Sequence, residues 1–183
     1  MPYIETVMSI PIITSSFQCD VDEAVNRELR RIQHTHSIID VHEELCGPVD
    51  PYKFLFAFTE NPDGFGEASC SYGIVTIKPS TYYEETEKRI NDVFTKLRMD
   101  TKNPTQFINI FHPTEYSYIV FYKTGGGYSS YPIAKIRTID SDPKFTGRSL
   151  SKFLTDLKEK EGLFPYDKIM IDTNHVMYLC GSI

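Results

Sequence analysis

The sequence predicts an α+β protein built from a repeated strand–helix–strand unit. Segments with apolar residues at every second position alternate with segments that carry them at three- and four-residue intervals. This alternation begins three times, near residues 2, 70 and 132. After each predicted helix comes a similar tetrapeptide, Ile-Ile-Asp-Val, Phe-Ile-Asn-Ile or Lys-Ile-Met-Ile, and we therefore interpret the pattern as an internal repeat.

The first unit opens with a strand over 2–10, in which apolar and polar residues alternate until a proline removes a ladder donor. Asp20 and Glu23 have the spacing of a capping box, and an amphipathic helix follows them. Residues 37–45 could continue this helix or form a strand, and their β-branched residues favour the strand. A further strand covers 52–59.

The second unit repeats this order. A strand over 69–77 leads to a helix that begins near Thr81, and strands cover 106–111 and 116–122. The spacing predicts that this helix buries Thr86, Ile90, Val93, Phe94 and Leu97.

The third unit has a strand over 131–139, a helix over about 145–161 and a strand over 167–173. Gly162 is expected to end the helix in the left-handed conformation that glycine adopts without strain. Residues 174–183 are too few for a prediction. We divide the chain into an N-terminal unit, 1–66, and a domain of two units, 67–183, with the helices on one face of a mixed sheet.

Composition excludes several classes of function. A formal charge of −6 argues against a nucleic-acid groove, which needs clustered lysine and arginine. No apolar run is long enough to cross a membrane, and the N-terminus lacks the pattern of a signal peptide, so we expect a cytoplasmic protein. The four cysteines have no metal-binding spacing, and His34, His36 and His42 lack a carboxylate-rich partner motif, so we predict no metal.

Three stretches carry a family resemblance. Residues 139–154 run from a strand end through a loop into Arg-Ser-Leu-Ser-Lys-Phe-Leu. Residues 165–171 read Pro-Tyr-Asp-Lys-Ile-Met-Ile, and a run of three glycines at 125–127 precedes Tyr131-Pro-Ile-Ala. Together these stretches resemble the tautomerase superfamily, in the branch of macrophage migration inhibitory factor, over residues 69–183.

The resemblance implies a fold, an activity and a mechanism. The family uses a βαβ unit twice per subunit, and six units form a ring-like oligomer. Its catalytic group is an N-terminal proline, whose amine becomes a base when an apolar pocket or a nearby cation disfavours its charge. Pro2 is the candidate here once Met1 is removed, and no cofactor is needed.

Only some of the family's other site residues are matched in this chain. Lys102 matches the family's pocket lysine and Ile139 its pocket isoleucine. The pocket tyrosine and asparagine fall on Met170 and Asp172, and the strand that should begin with proline carries an internal Cys70 instead.

A second set of positions follows if the first unit pairs with the second as the second pairs with the third. Pro2 would then have His36 near the lysine position and Ile77 at the isoleucine position. His36, Lys102, Arg137 and Arg148 are the candidate cations for a substrate carboxylate.

These residues leave three functions open. The first is a cofactor-free, phenylpyruvate-type tautomerase or isomerase acting on a small keto or enol acid. The second is a catalytically inactive binding or signalling protein of the same family, favoured by Cys70, Met170 and Asp172. The third is a ferredoxin-like ligand-binding module whose family resemblance is accidental. The resemblance also implies secretion without a signal peptide as an alternative to a cytoplasmic location.

The repeat also predicts a homo-oligomer. Two chains of three units would supply six units, so we expect a dimer with the pseudo-symmetry of the family's ring. A conventional trimer with an N-terminal addition is the alternative.

Overall fold

The computed structural model describes residues 6–11, 26–27, 36–44, 53–60, 71–99, 105–114, 117–124, 132–140 and 142–182. These residues form an α+β fold, as predicted, with two helices and nine strands in three sheets. The strands are β1 Thr6–Pro11, β2 His36–Glu44, β3 Lys53–Glu60, β4 Ser71–Ile77, β5 Thr105–Thr114, β6 Ser117–Thr124, β7 Ile133–Thr138, β8 Leu163–Met170 and β9 His175–Ser182.

The three sheets share one strand order. They run β1-β3-β2, β4-β6-β5 and β7-β9-β8, and each neighbouring pair is antiparallel. The mixed sheet expected from the sequence is therefore wrong for the described strands. In each sheet the third strand in chain order lies between the first two and pairs with both, which keeps those two from pairing directly.

A β-bulge recurs at one place in these sheets. The register shifts between Ile38 and Asp40 in β2, between Phe107 and Asn109 in β5, and between Pro165 and Asp167 in β8. In each case the fourth residue of the strand is skipped, which bends the strand locally. Residues opposite the end of the bulge, namely Ala57, Phe121 and Leu179, therefore occupy equivalent positions.

The helices are α1, Tyr83–Met99, and α2, Pro143–Asp156, which continues as a π-helical turn, Leu157–Glu161. Gly162 ends this turn at φ 65°, as predicted, and its N–H donates to the Leu157 carbonyl. Of the five residues expected to face inward in α1, Thr86, Ile90 and Phe94 are buried.

Both helices begin in the same way. The hydroxyl of Thr86 donates to the Ser80 and Tyr82 carbonyls, at 3.3 Å each. The hydroxyl of Thr146 donates to the Asp140 and Asp142 carbonyls, at 3.1 and 3.2 Å. Counting from these two threonines aligns α1 with α2, residue by residue.

The chain divides into two compact bodies, which do not coincide with the three repeat units. The first body comprises Met1–Lys78 and Asp100–Tyr128, and the second body comprises Pro79–Met99 and Ser129–Ile183. Helix α1 thus belongs with the sheet β7-β9-β8, although it lies between β4 and β5 in the chain. The boundary predicted between residues 66 and 67 lies outside the described residues and stays a prediction.

Asparagine side chains cover the edges of two sheets. In the first body, the Asn26 amide accepts from the Ile74 N–H at 2.7 Å and donates to the Ile74 carbonyl at 3.2 Å. In the second body, Asn91 of α1 makes the same pair of bonds to Ala134, at 2.8 and 2.9 Å. Because an edge strand has unpaired backbone groups, each asparagine takes the place of a further strand at that point.

The core of the second body joins α2 to the sheet β7-β9-β8. Leu157, Leu163 and Cys180 form a buried cluster. The partly buried side chains packed against it are Ile133, Phe153 and Tyr178. Burial raises the pKa of the Cys180 thiol to about 11, so this cysteine behaves as a core residue. No helix among the described residues has the length and apolar character needed to cross a membrane.

Candidate functional site

The loop between β8 and β9 concentrates polar contacts on one carboxylate. Asp172 accepts hydrogen bonds from the Tyr83 hydroxyl at 2.5 Å and from the Asn174 N–H at 2.6 Å. His175 Nδ1 lies 3.0 Å from Asp172 Oδ1. The contact to Asn174 makes an Asx turn, and Tyr83 ties that turn to the first residue of α1.

His175 is held in one orientation. Its ring stacks on Tyr83, with the centroids 3.6 Å apart and the planes 21° from parallel. Since an ionised carboxylate only accepts hydrogen bonds, Nδ1 of His175 must be the donor in this pair. In the neutral ring, Nε2 is then the nitrogen that accepts a proton, which is the arrangement of a histidine–aspartate dyad.

The same contacts set the protonation of the cluster. Desolvation alone would raise the pKa of Asp172. The bonds from Tyr83, the Asn174 N–H and His175 outweigh it and lower the pKa to about 2. The hydrogen bond to Asp172, and then desolvation, raise the pKa of the Tyr83 hydroxyl. Asp172 is therefore an anion at neutral pH and Tyr83 a neutral donor.

One residue expected from the resemblance lies at this loop. The N–H of Ile139 donates to the Asn174 carbonyl at 2.6 Å, and Thr138, just before it, pairs with His175. The positions that the resemblance assigns to the pocket isoleucine and asparagine, Ile139 and Asp172, are thus neighbours across the end of the sheet.

Ile77 is the last residue of β4, with 5% of its surface exposed, and it pairs with Tyr118. Ile74 pairs with Phe121 and Ala134 pairs with Leu179, so Ile74 and Ala134 occupy equivalent positions in their sheets. Ile77, three residues after Ile74, therefore corresponds to Arg137. Ile139 lies two residues beyond that position, and the two isoleucines are not equivalent in the sheets.

The remaining predicted residues fall on undescribed parts of the chain. Pro2 and Lys102 lie outside the described residues. His36 is the first residue of β2 and pairs with Glu60, but its side chain also lies outside them. Their roles as base, pocket lysine and cation stay predictions.

Arg137, a candidate cation for a carboxylate, belongs to the core. It is 8% exposed, donates to the Ser149 hydroxyl at 2.5 Å and lies 5.6 Å from the centre of the Phe153 ring. Neighbouring residues of a strand point to opposite faces, and cross-strand partners share a face. Arg137 pairs with Val176 and therefore points away from the face that carries His175.

Two residues of this cluster, Tyr83 and His175, had no part in the sequence-based prediction. Asp172-Thr-Asn174 has the composition of an Asx turn, which could have placed a loop before a ninth strand. The contact of Tyr83 with a loop 89 residues away has no local signal.

Comparison of the chain with protein-family models, with curated proteins and with solved structures gives no match. The resemblance to the tautomerase superfamily therefore stays a prediction.

Proposed function

We propose that this protein is a cofactor-free keto–enol tautomerase acting on a small keto or enol acid. Among the described residues, His175 supplies the proton-transfer group. The observation that carries the proposal is the contact of 3.0 Å between His175 Nδ1 and Asp172, which leaves Nε2 as the basic nitrogen. Ile139, the pocket isoleucine that the resemblance implies, donates its N–H to the Asn174 carbonyl in the same loop.

The reaction needs only one proton carrier. Nε2 of His175 removes the proton from the carbon next to the ketone, and the electron pair of that bond moves to form the enolate. The proton on Nε2 then passes to the enolate oxygen, which gives the enol and restores the neutral imidazole. Asp172 keeps Nδ1 protonated throughout and stabilises the imidazolium that forms between the two steps.

Pro2 is the base that the family resemblance implies, and a pair of variants separates the two groups. His175→Asn keeps a donor near the position of Nδ1 but has no Nε2, so the loop stays closed while the proton carrier is lost. We expect keto–enol conversion of phenylpyruvate to fall about 100-fold in His175→Asn. A Pro2→Gly variant with the same loss, and a His175→Asn variant without one, would assign the reaction to Pro2.

His112 offers a matched control. It also stacks on a tyrosine, Tyr118, with the centroids 4.2 Å apart, but its Nδ1 contacts the Ser117 carbonyl, at 3.0 Å. His112→Asn is expected to leave the rate unchanged. The methyl ester of phenylpyruvate gives a further comparison, since faster conversion of the acid would indicate a carboxylate-binding cation such as Lys102.

A binding protein without catalysis is the second candidate, and one observation favours it. Tyr83, Asp172 and His175 hold a hairpin loop against the start of α1, and a purely structural role explains all of their contacts. Rates at the level of the uncatalysed reaction, for the wild type and for both variants, would favour this candidate and reject the tautomerase.

A further inference from the structure

One face of α2 repeats the residues by which α1 meets an edge strand. Counting from Thr86 and Thr146, Ile90 and Asn91 correspond to Leu150 and Ser151, and Phe94 corresponds to Leu154. The first predicted helix has the same spacing in the sequence, with Val25, Asn26 and Leu29. An apolar residue, a small polar residue and a second apolar residue therefore recur in all three units.

In α1 this face is buried and hydrogen-bonded to β7. Ile90 and Phe94 are 0% and 2% exposed. Asn91, between them, bonds both backbone groups of Ala134, and Glu87, one turn earlier, accepts from the Ile136 N–H at 2.7 Å. The helix of the second unit is thereby fixed to the first strand of the third unit.

The contact between Asn26 and Ile74 follows the same rule one unit earlier. Ile74 and Ala134 face Phe121 and Leu179, which are equivalent with respect to the bulge, so the two strand positions are also equivalent. In both contacts, a helix of one unit bonds the first strand of the next unit at the same residue.

In α2 the corresponding face remains open. Leu154 is 36% exposed, and Ser151 makes no side-chain hydrogen bond to a strand among the described residues. A shallow groove runs along this face, lined by Gly147, Leu150, Ser151, Leu154, Thr155 and Lys158. Leu154 is exposed and Leu150 is half-buried, whereas the two corresponding positions in α1 are buried, which indicates a contact surface on α2.

The strand that would complete the series is β1. Val7 pairs with Ala57, the residue opposite the end of the bulge in β2, and so corresponds to Ile74 and Ala134. β1 lies at the edge of its sheet, and none of the other described strands pairs with its outer side.

We propose that the α2 face of one copy of this chain docks on the β1 edge of a second copy, at Val7. Two copies that dock in this way make the contact twice, so a dimer with two such interfaces is a closed assembly. The inference is independent of the proposed function, because it uses neither His175 nor Pro2.

The polar part of this contact differs from that inside the chain. Ser151 and Gly147 stand where α1 has Asn91 and Glu87, so fewer hydrogen bonds reach the strand. Leu150 and Leu154 then supply most of the affinity by burying apolar surface. A contact of this kind is sensitive to a charge placed on the leucines.

Light scattering behind a sizing column tests the proposal on the full chain. The wild type is expected at twice the chain mass of 21.1 kDa. Leu154→Lys is expected at one chain mass with unchanged circular dichroism. Phe145→Lys, which alters an α2 residue that is 50% exposed but lies off this face, is expected to stay at two.

A single-chain or three-chain mass for the wild type would overturn the proposal. So would a Leu154→Lys variant that keeps the wild-type mass, since the assembly would then use another surface. Loss of the dimer in Phe145→Lys as well would show that the two leucines are not specific to the contact and would equally overturn it.

Discussion

Helices α1 and α2 start with the same threonine contacts and carry apolar residues at the same places, yet they end in different surroundings. The face of α1 with Ile90 and Phe94 is buried, whereas the corresponding face of α2 keeps Leu154 more than a third exposed. In α1 this face meets an edge strand through Asn91. The docking proposed above would give the α2 face an equivalent partner.

The largest difference in the free energy of unfolding is expected between truncations of the equivalent apolar residues of the two helices, Ile90 and Leu150. Ile90→Ala leaves a cavity at a fully buried position and is expected to lower the free energy of unfolding by about 3 kcal/mol. Leu150→Ala is expected to cost less than about 1 kcal/mol in dilute solution, where only the partly exposed side chain is lost. Urea unfolding measures both.

Protein concentration sharpens this first comparison. If Leu150 lies in an interface, its truncation destabilises the protein more as concentration rises, because dimerisation stabilises only the folded chain. Ile90→Ala should show the same loss relative to wild type in dilute and concentrated samples. Equal losses for both variants at every concentration would contradict the difference drawn between the two helices.

A smaller effect is expected from the polar residue between the apolar ones. Asn91→Ala leaves the N–H and carbonyl of Ala134 without their partner and should lower the free energy of unfolding by about 2 kcal/mol. Ser151→Ala is expected within about 0.5 kcal/mol of wild type. Asp92→Ala, an exposed neighbour in α1, is the control, and a loss there as large as for Asn91→Ala would contradict the edge-strand role.

The smallest expected change in stability concerns the first residue of each helix, which is Tyr83 in α1 and Pro143 in α2. Tyr83 helps to lower the pKa of Asp172 to about 2, below the ordinary 3.8. The ionised carboxylate therefore stabilises the fold above about pH 4, and this contribution is lost as the pH falls towards 2. Tyr83→Phe should make that acid loss smaller.

Urea midpoints at pH 5 and pH 2.5 measure this acid dependence. Tyr82→Phe, at an exposed neighbouring position, should retain the wild-type difference between the two pH values. A Tyr83→Phe variant whose midpoint falls as far as that of the wild type would show that the hydrogen bond does not set the acid sensitivity.

Much of the fold follows from local patterns. The two helices were predicted from apolar spacing and a glycine cap, because these signals lie within a few turns of chain. β9 was not predicted, because residues 174–183 are too few to establish a pattern; the strand is also buried along most of its length, which weakens the alternation that marks a half-buried strand. The antiparallel order was also missed, because hydrophobic pattern places a strand but does not choose its neighbours.

The candidate site was less accessible from the sequence. Ile139 and Asp172 were named through the family resemblance, and they lie at the same end of one sheet. Tyr83 and His175 meet only because α1 packs beside β7, a long-range contact that no local pattern specifies. The roles of Pro2, His36, Ile77 and Lys102 stay predictions.

The central claim, that the α2 face continues between copies a contact made twice within the chain, is tested most directly by restoring the missing asparagine. Ser151→Asn gives α2 the side chain that holds Ile74 and Ala134. Sedimentation velocity over a dilution series should then show a dimer that dissociates at lower concentration than the wild type. Unchanged or weaker association of Ser151→Asn would contradict the claim.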